Sequence, residues 1–104
     1  MTNFVLVYTG DGIPESEEQQ AIVMAEWGVW YTNMGAAIVD GGNPFSASKH
    51  VTDKGVNDGA ASSPPATGYT IISADSLDAA VGKVQDHPHL KYGGQVSVYE
   101  TFKM

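Results

Sequence analysis

Residues Ser16–Gly42 read SEEQQAIVMAEWGVWYTNMGAAIVDGG, and the rest of the chain is organised around them. The stretch predicts one long helix, Ser16 to Gly35, running straight into a strand, Ala36 to Asp40. Ser16 followed three residues later by Gln19 fits a capping box, in which each side chain satisfies a backbone donor at the helix start. Glu15, Glu17 and Glu18 crowd the first turn, where the positive end of the helix dipole favours them. At 3.6 residues per turn, Val23, Trp27, Trp30 and Met34 share one stripe, with Tyr31 beside it. Asn33 and Gly35 supply a left-handed stop. A smaller apolar spot, Ile22 and Val29, lies off the stripe, so the helix presents two surfaces to bury. The aromatic stripe reads first as core packing and second as a ligand wall.

A chain of 104 residues is one domain, long enough for a core without staples. It has no cysteine, which removes disulfides, thiolate nucleophiles and thiolate metal sites and fits a reducing, cytoplasmic setting. The start, TNFVLVYTGDG, lacks a basic n-region and a long apolar run. No segment approaches a membrane span, and no membrane partner is expected. The net charge is −7, with five lysines and no arginine. Nucleic acid needs clustered basic charge, so none is expected to bind. A bidentate clamp on phosphate or carboxylate needs a guanidinium. The expected ligand is therefore a neutral or weakly polar small molecule. No motif calls for a cofactor: Gly10-x-Gly12 lacks a third glycine and the crossover of a nucleotide fingerprint. Ser46, Ser48, Ser62 and Ser63 have no nucleophile-elbow context.

Asn3 to Thr9 (NFVLVYT) is a strand whose two faces, Phe4, Leu6, Tyr8 and Val5, Val7, are both apolar. Gly10-Asp11-Gly12 is a turn, and Pro14 leads into the helix. After Gly41-Gly42, Ser48 to Val51 holds a short extended piece. Thr52 to Thr67 (TDKGVNDGAASSPPAT) is rich in turn formers and reads as a long, mobile, protease-sensitive excursion. Gly68 to Ala74 is a strand, and Asp75-Ser76 caps a second helix, Leu77 to Asp86. Pro88 prevents continuation, and Gly93-Gly94 turns the chain into the last strand, Gln95 to Phe102. There, Val96, Val98 and Phe102 face one way, and Gln95, Ser97, Tyr99 and Thr101 the other. The order β-α-β-β-α-β is the split βαβ, ferredoxin-like arrangement of an α+β subunit. Both helices cover one face of an antiparallel sheet. A second copy of the chain is the simplest cover for the other face, which predicts a homodimer.

Met24–Phe45 (MAEWGVWYTNMGAAIVDGGNPF), Ser48–Gly59 (SKHVTDKGVNDG), Gly68–Ala80 (GYTIISADSLDAA) and His87–Leu90 (HPHL) together resemble the YCII-related family over nearly the whole chain. The resemblance is to the branch with a Trp-x-x-Trp first helix. It implies a ferredoxin-like subunit that dimerises face to face into an α+β barrel, in small bacterial cytosolic proteins mostly without assigned function. Other members carry a His–Asp pair proposed as catalytic, with the His on the first helix. This chain has no His between Pro14 and Gly35; Asp40 stands as the candidate acidic partner. Where relatives often carry Asp-Gly-Pro-Phe it has Asp58-Gly59-Ala60-Ala61, and where they have Cys-Pro it has His87-Pro88.

Candidate chemistry centres on Asp40 with one histidine, His89 or His50. Asp40 ends a strand before two glycines, as an acid–base group or as a turn cap. His87-Pro88-His89 reads as a helix C-terminus, where a cationic His suits the dipole, followed by a turn. A metal site there lacks a third adjacent ligand, so none is expected. Tyr8, Trp27, Trp30, Tyr31, Tyr69 and Tyr99 are the candidate ligand-binding residues. Two functions follow: a small-molecule enzyme or binding barrel with an acid–base site, or a non-catalytic dimeric structural or interaction module.

Overall fold

A computed structural model describes residues 1–10, 16–61 and 63–103. The Asp11–Gly12 turn, Pro14 and Glu15 lie outside the described residues. The strand β1 (Thr2–Thr9) leads to the helix α1 (Glu17–Met34), a short 3-10 turn (Gly35–Ala37) and β2 (Ile38–Asp40). Then come β3 (Lys49–Thr52), β4 (Gly55–Asp58), β5 (Ala66–Ala74), α2 (Leu77–Val84), the four-residue helix α3 (Pro88–Lys91) and β6 (Gln95–Glu100).

Four strands form one antiparallel sheet in the order β2-β5-β1-β6. This is the ferredoxin-like α+β arrangement expected from the sequence. β1 sits between two partners and pairs Phe4 with Ile72 and Leu6 with Thr70 on β5. Its other edge pairs Leu6 with Val98 and Tyr8 with Val96 on β6. Alternation therefore sends Phe4, Leu6, Tyr8, Thr70, Ile72 and Ala74 to one face, where they are buried. Trp30, Ala80 and Val84 of the two helices close over them, with Trp27, Tyr31, Met34, Val96 and Val98 packed alongside.

The local chemistry of α1 follows its sequence. Ser16 Oγ accepts the Gln19 N–H at 3.2 Å, and Gly35 ends the helix at φ +54°, its N–H donating to the Tyr31 carbonyl. Of the two apolar surfaces of α1, only the stripe is buried. Ile22 and Val29 stay exposed and flank a shallow hollow with Ala25 and Glu26.

Several boundaries move. The residues Gly35–Ala37 form the 3-10 turn, so β2 starts at Ile38. α2 ends at Val84, β5 starts at Ala66, and β6 ends at Glu100. The larger correction is the Thr52–Thr67 excursion. It contains β4, which pairs with β3 through a turn at Asp53-Lys54 to form a separate two-stranded hairpin. The turn formers mark a hairpin bend here, with Gly55 at φ +138°. The described helices pack on one side of the sheet, and the molecule is flat, 44 × 43 × 18 Å.

Candidate functional site

A cavity of about 500 Å³ opens between α1 and one end of the sheet. α1 contributes Val23, Met24, Trp27, Gly28 and Tyr31; β1 contributes Tyr8; α3 contributes His89. The floor and rim come from the Gly41–Pro44 turn and the start of β5, Thr67–Tyr69. That turn is forced close to the sheet. Gly42 has φ +75°, and a Cβ there would overlap the Tyr69 carbonyl, so only glycine fits. Phe45 N–H then donates to the Thr67 carbonyl at 2.8 Å and Pro44 bridges Gly68, carrying the chain along β5.

Beneath the cavity lies a buried polar chain. Tyr8 donates its hydroxyl proton to Thr70 Oγ1 at 2.8 Å. Thr70 Oγ1 donates to the Gly41 carbonyl at 3.1 Å. Tyr31 Oη lies 3.0 Å from both the Gly41 carbonyl and Thr70 Oγ1. At the other end, His87 Nδ1 accepts the His89 backbone N–H at 3.0 Å, which requires an unprotonated Nδ1. Nε2–H of His87 therefore donates to Tyr8 Oη at 3.1 Å. Burial, then the neighbouring His89, lowers the His87 pKa from 6.5 to about 4, so this ring is neutral at pH 7. Burial likewise raises the Tyr8 pKa far above its ordinary value, keeping the proton on its hydroxyl. Both rings pack against the indoles: Trp27 meets His87 edge-on at 4.4 Å and Tyr8 at 4.9 Å, and Trp30 meets His87 at 4.4 Å.

His89 is fixed by a different bond. Its Nε2 lies 2.8 Å from the Thr9 carbonyl, an oxygen that only accepts, so Nε2 carries a proton and donates it. Gly94 packs against the same ring, and a Cβ there would overlap it. The α3 turn is tied to α1 through Glu26, which accepts from Tyr92 Oη at 2.8 Å and from Lys91 Nζ at 3.1 Å. Tyr92 first, then Lys91, holds the Glu26 carboxyl below its usual range.

The structure brings Tyr8, Trp27, Tyr31, Tyr69 and His89 to the cavity wall. Four other candidates lie elsewhere. Trp30 is buried in the core, its Nε1–H donating to the Lys83 carbonyl at 3.3 Å. Tyr99 is exposed on the opposite sheet face, because it pairs with Val5 on β1. His50 is on the β3–β4 hairpin, its Nδ1 3.2 Å from the Gly59 carbonyl. Asp40 is exposed just beyond the rim. Its Oδ1 accepts the Gly42 N–H at 2.8 Å, and its Oδ2 has a long contact, 3.5 Å, with Tyr69 Oη. The expectation of a cationic His87 at a helix C-terminus is corrected: His87 and His89 are both buried, and His87 is neutral. His87 itself caps α3, its Nδ1 taking the place of the usual Ser or Asp oxygen. Thr70, the centre of the buried chain, and the Gly41 carbonyl were missed by sequence reasoning. The alternation Gly68, Thr70, Ile72, Ala74 carried the one available signal, a hydroxyl on a buried face. Among the described residues, no group of three or more His, Asp or Glu is gathered as a metal site.

Neither a protein-family model nor a curated protein matches the chain. Among solved structures, it is similar in fold to a dehydrochlorinase. That protein is the 5-chloro-2-hydroxyhydroquinone dehydrochlorinase of Burkholderia phenoliruptrix AC1100, in complex with 2,5-dihydroxybenzoquinone. The match has a TM-score of 0.59 at 18% identity and covers 98% of this chain and 93% of that one. At this identity the likeness is one of fold. Among the described residues, no helix is long and apolar enough to cross a membrane.

Proposed function

We propose that this protein is a YCII-related protein of the Trp-x-x-Trp branch that binds a neutral or weakly polar small molecule between α1 and the sheet. The observation that carries the reading is the cavity itself: about 500 Å³, walled by Trp27, Tyr31, Val23 and Met24 and reached by one imidazole, His89. Ligand sites in proteins combine an apolar wall of this size with a few convergent polar groups. His89 is the candidate acid–base residue, with its orientation set by the Thr9 carbonyl. Asp40 acts from the rim in this reading, through Tyr69 and the Gly41-Gly42 turn. The small-molecule chemistry of the neighbouring fold supports the same class of function.

The open sheet face supports self-association. Val5, Val7 and Ile71, half-buried, and Tyr99, exposed, form an apolar surface with none of the described helices over it. A second copy packed there makes the homodimer of an α+β barrel. Light scattering is expected to give twice the chain mass at concentrations above the micromolar range, and a monomer there overturns the assembly.

The cavity reading is tested at Gly28. This residue is in mid-helix on the cavity wall, and a Cβ added there meets nothing within 4 Å. Gly28→Leu is expected to keep or raise thermal stability, since glycine in a helix interior costs about 0.5–1 kcal/mol. It is also expected to abolish the thermal shift caused by any compound from a neutral-metabolite screen. Compounds that shift the wild type and the variant equally overturn the cavity as the site.

A further inference from the structure

The hydrogen bonds around the cavity fix which partner groups a ligand must bring. Tyr31 has one hydroxyl proton, and its neighbours within reach are the Gly41 carbonyl and Thr70 Oγ1, both at 3.0 Å. Thr70 already receives the Tyr8 proton and gives its own to Gly41. In every arrangement of these protons, the Tyr31 proton points into the protein, and the oxygen turns lone pairs outward. Thr67 Oγ1 spends its proton on the Tyr8 carbonyl at 3.2 Å. His89 spends its Nε2 proton on Thr9, leaving Nδ1 as a lone pair without a partner among the described residues. No sealed side-chain nitrogen or oxygen among the described residues lacks a partner. An unpartnered nitrogen on a ring 3 % exposed therefore meets open space, and the cavity that His89 lines supplies it. The Tyr31 and Thr67 hydroxyls and the His89 imidazole thus face the cavity as acceptors, beside the side-chain amides of Gln20 and Asn43. The indole N–H of Trp27 has no hydrogen bond among the described residues and is the ring donor beside them.

Charge narrows the ligand further. Among the described residues, no Asp, Glu or Lys lines the cavity, and the chain has no arginine. An ionic ligand of either sign would be desolvated without a counter-charge, which is costly. The geometry points to a neutral aromatic ring bearing hydroxyl donors, a phenol or dihydroxybenzene, whose O–H groups donate to His89 Nδ1 and Tyr31 Oη while its face packs among Trp27, Tyr8 and Tyr31. This rests on the reading of the cavity as the ligand site. It adds that the ligand donates hydrogen bonds to His89 and Tyr31, the specificity pair.

The test uses three probes of one shape: hydroquinone, 4-methoxyphenol and 1,4-dimethoxybenzene, titrated anaerobically by calorimetry and tryptophan fluorescence. Affinity is expected to fall along that series, by about tenfold or more from first to last, the value of one good hydrogen bond. Tyr31→Phe keeps the ring and leaves Gly41 bonded to Thr70. It is expected to weaken hydroquinone several-fold and to leave 1,4-dimethoxybenzene unchanged. Equal affinity for all three in the wild type, or tighter binding of the diether, overturns the donor requirement while the cavity remains a binding site. If none of the three binds at millimolar concentration, the donor requirement falls for these rings. The cavity reading falls with it only if the neutral-metabolite screen also finds nothing that Gly28→Leu abolishes.

Discussion

Phe4, Leu6 and Tyr8 of β1 are 0, 0 and 3 % exposed, while Val5 and Val7, one step along the same strand, look out from the other face with none of the described helices above them. The two faces of the sheet are made from the same strands and meet different conditions. The covered face holds the polar groups: Thr70, Tyr8 and His87 are sealed there, each hydrogen-bonded. The uncovered face mixes Val5, Val7, Ile71 and Tyr99 with Asn3, Ser73 and Ser97. Polarity alone is thus a poor guide to burial here. A buried hydroxyl is inexpensive when its partners are fixed, and apolar side chains stay outside when nothing has yet packed on them.

The widest separation of the faces is expected at two adjacent residues of β5. Ile72→Ala removes a fully buried side chain and is expected to cost about 2–5 kcal/mol in denaturant unfolding. Ile71→Ala, on the uncovered face, is expected to cost about 1 kcal/mol in dilute protein. Under the proposed homodimer, its cost is expected to grow with protein concentration. Equal costs at low concentration would break the comparison.

Next in size is the pH response of the covered face. The pKa of His87 is lowered from 6.5 to about 4 by burial, so the unfolded chain binds more protons than the folded one between those values. Its contribution is fully present above pH 6.5 and is lost as pH falls toward 4, by up to about 3 kcal/mol. Protonation also forces a hydrogen onto Nδ1, against the His89 N–H it accepts. Chemical denaturation from pH 7.5 to 4 measures this, and a flat profile through pH 6.5–4.5 would mean that His87 is not sealed.

A smaller effect is expected at Thr70. Thr70→Val keeps the shape and strips the acceptor from Tyr8 and the donor to Gly41, at a cost of about 1–3 kcal/mol. Ser73→Ala, on the other face of the same strand, is expected to stay within about 0.5 kcal/mol. Parity between them would show that the buried chain contributes nothing specific.

Periodicity made most of this architecture legible. The helix stripe, its Ser16 and Gly35 caps and the two-faced first strand carried the ferredoxin-like order, because each is a local pattern of period 3.6 or 2. The hairpin was hidden because β3 and β4 are four residues each and both mostly polar, so turn formers outweighed strand signal. The site was less legible. Trp27 and Tyr31 were visible as a stripe, but the same stripe put Trp30 in the core. His87 and His89 read as a helix end and a turn because nothing local says that a His-Pro-His turn packs under two indoles. Their burial is tertiary, set by α1 crossing the sheet end.

Asp40 gives the smallest expected effect and the sharpest reading of the rim. Its Oδ1 accepts the Gly42 N–H at 2.8 Å, the bond of a side-chain turn. Asp40→Asn keeps an oxygen able to accept that N–H, and the carboxylate is exposed, so solvent already screens its charge. Stability is therefore expected to change by less than about 1 kcal/mol. Asp40 is also absent from the cavity wall, and its one link to it is the long 3.5 Å contact with Tyr69. Affinity for a cavity ligand is thus expected to hold within about twofold, whereas turnover, where there is any, tests the rim role directly. A large loss of turnover or affinity with stability intact makes Asp40 a working acid–base partner of His89. Lost stability with binding intact makes it a turn residue, and the catalytic pairing of Asp40 with a histidine is then abandoned.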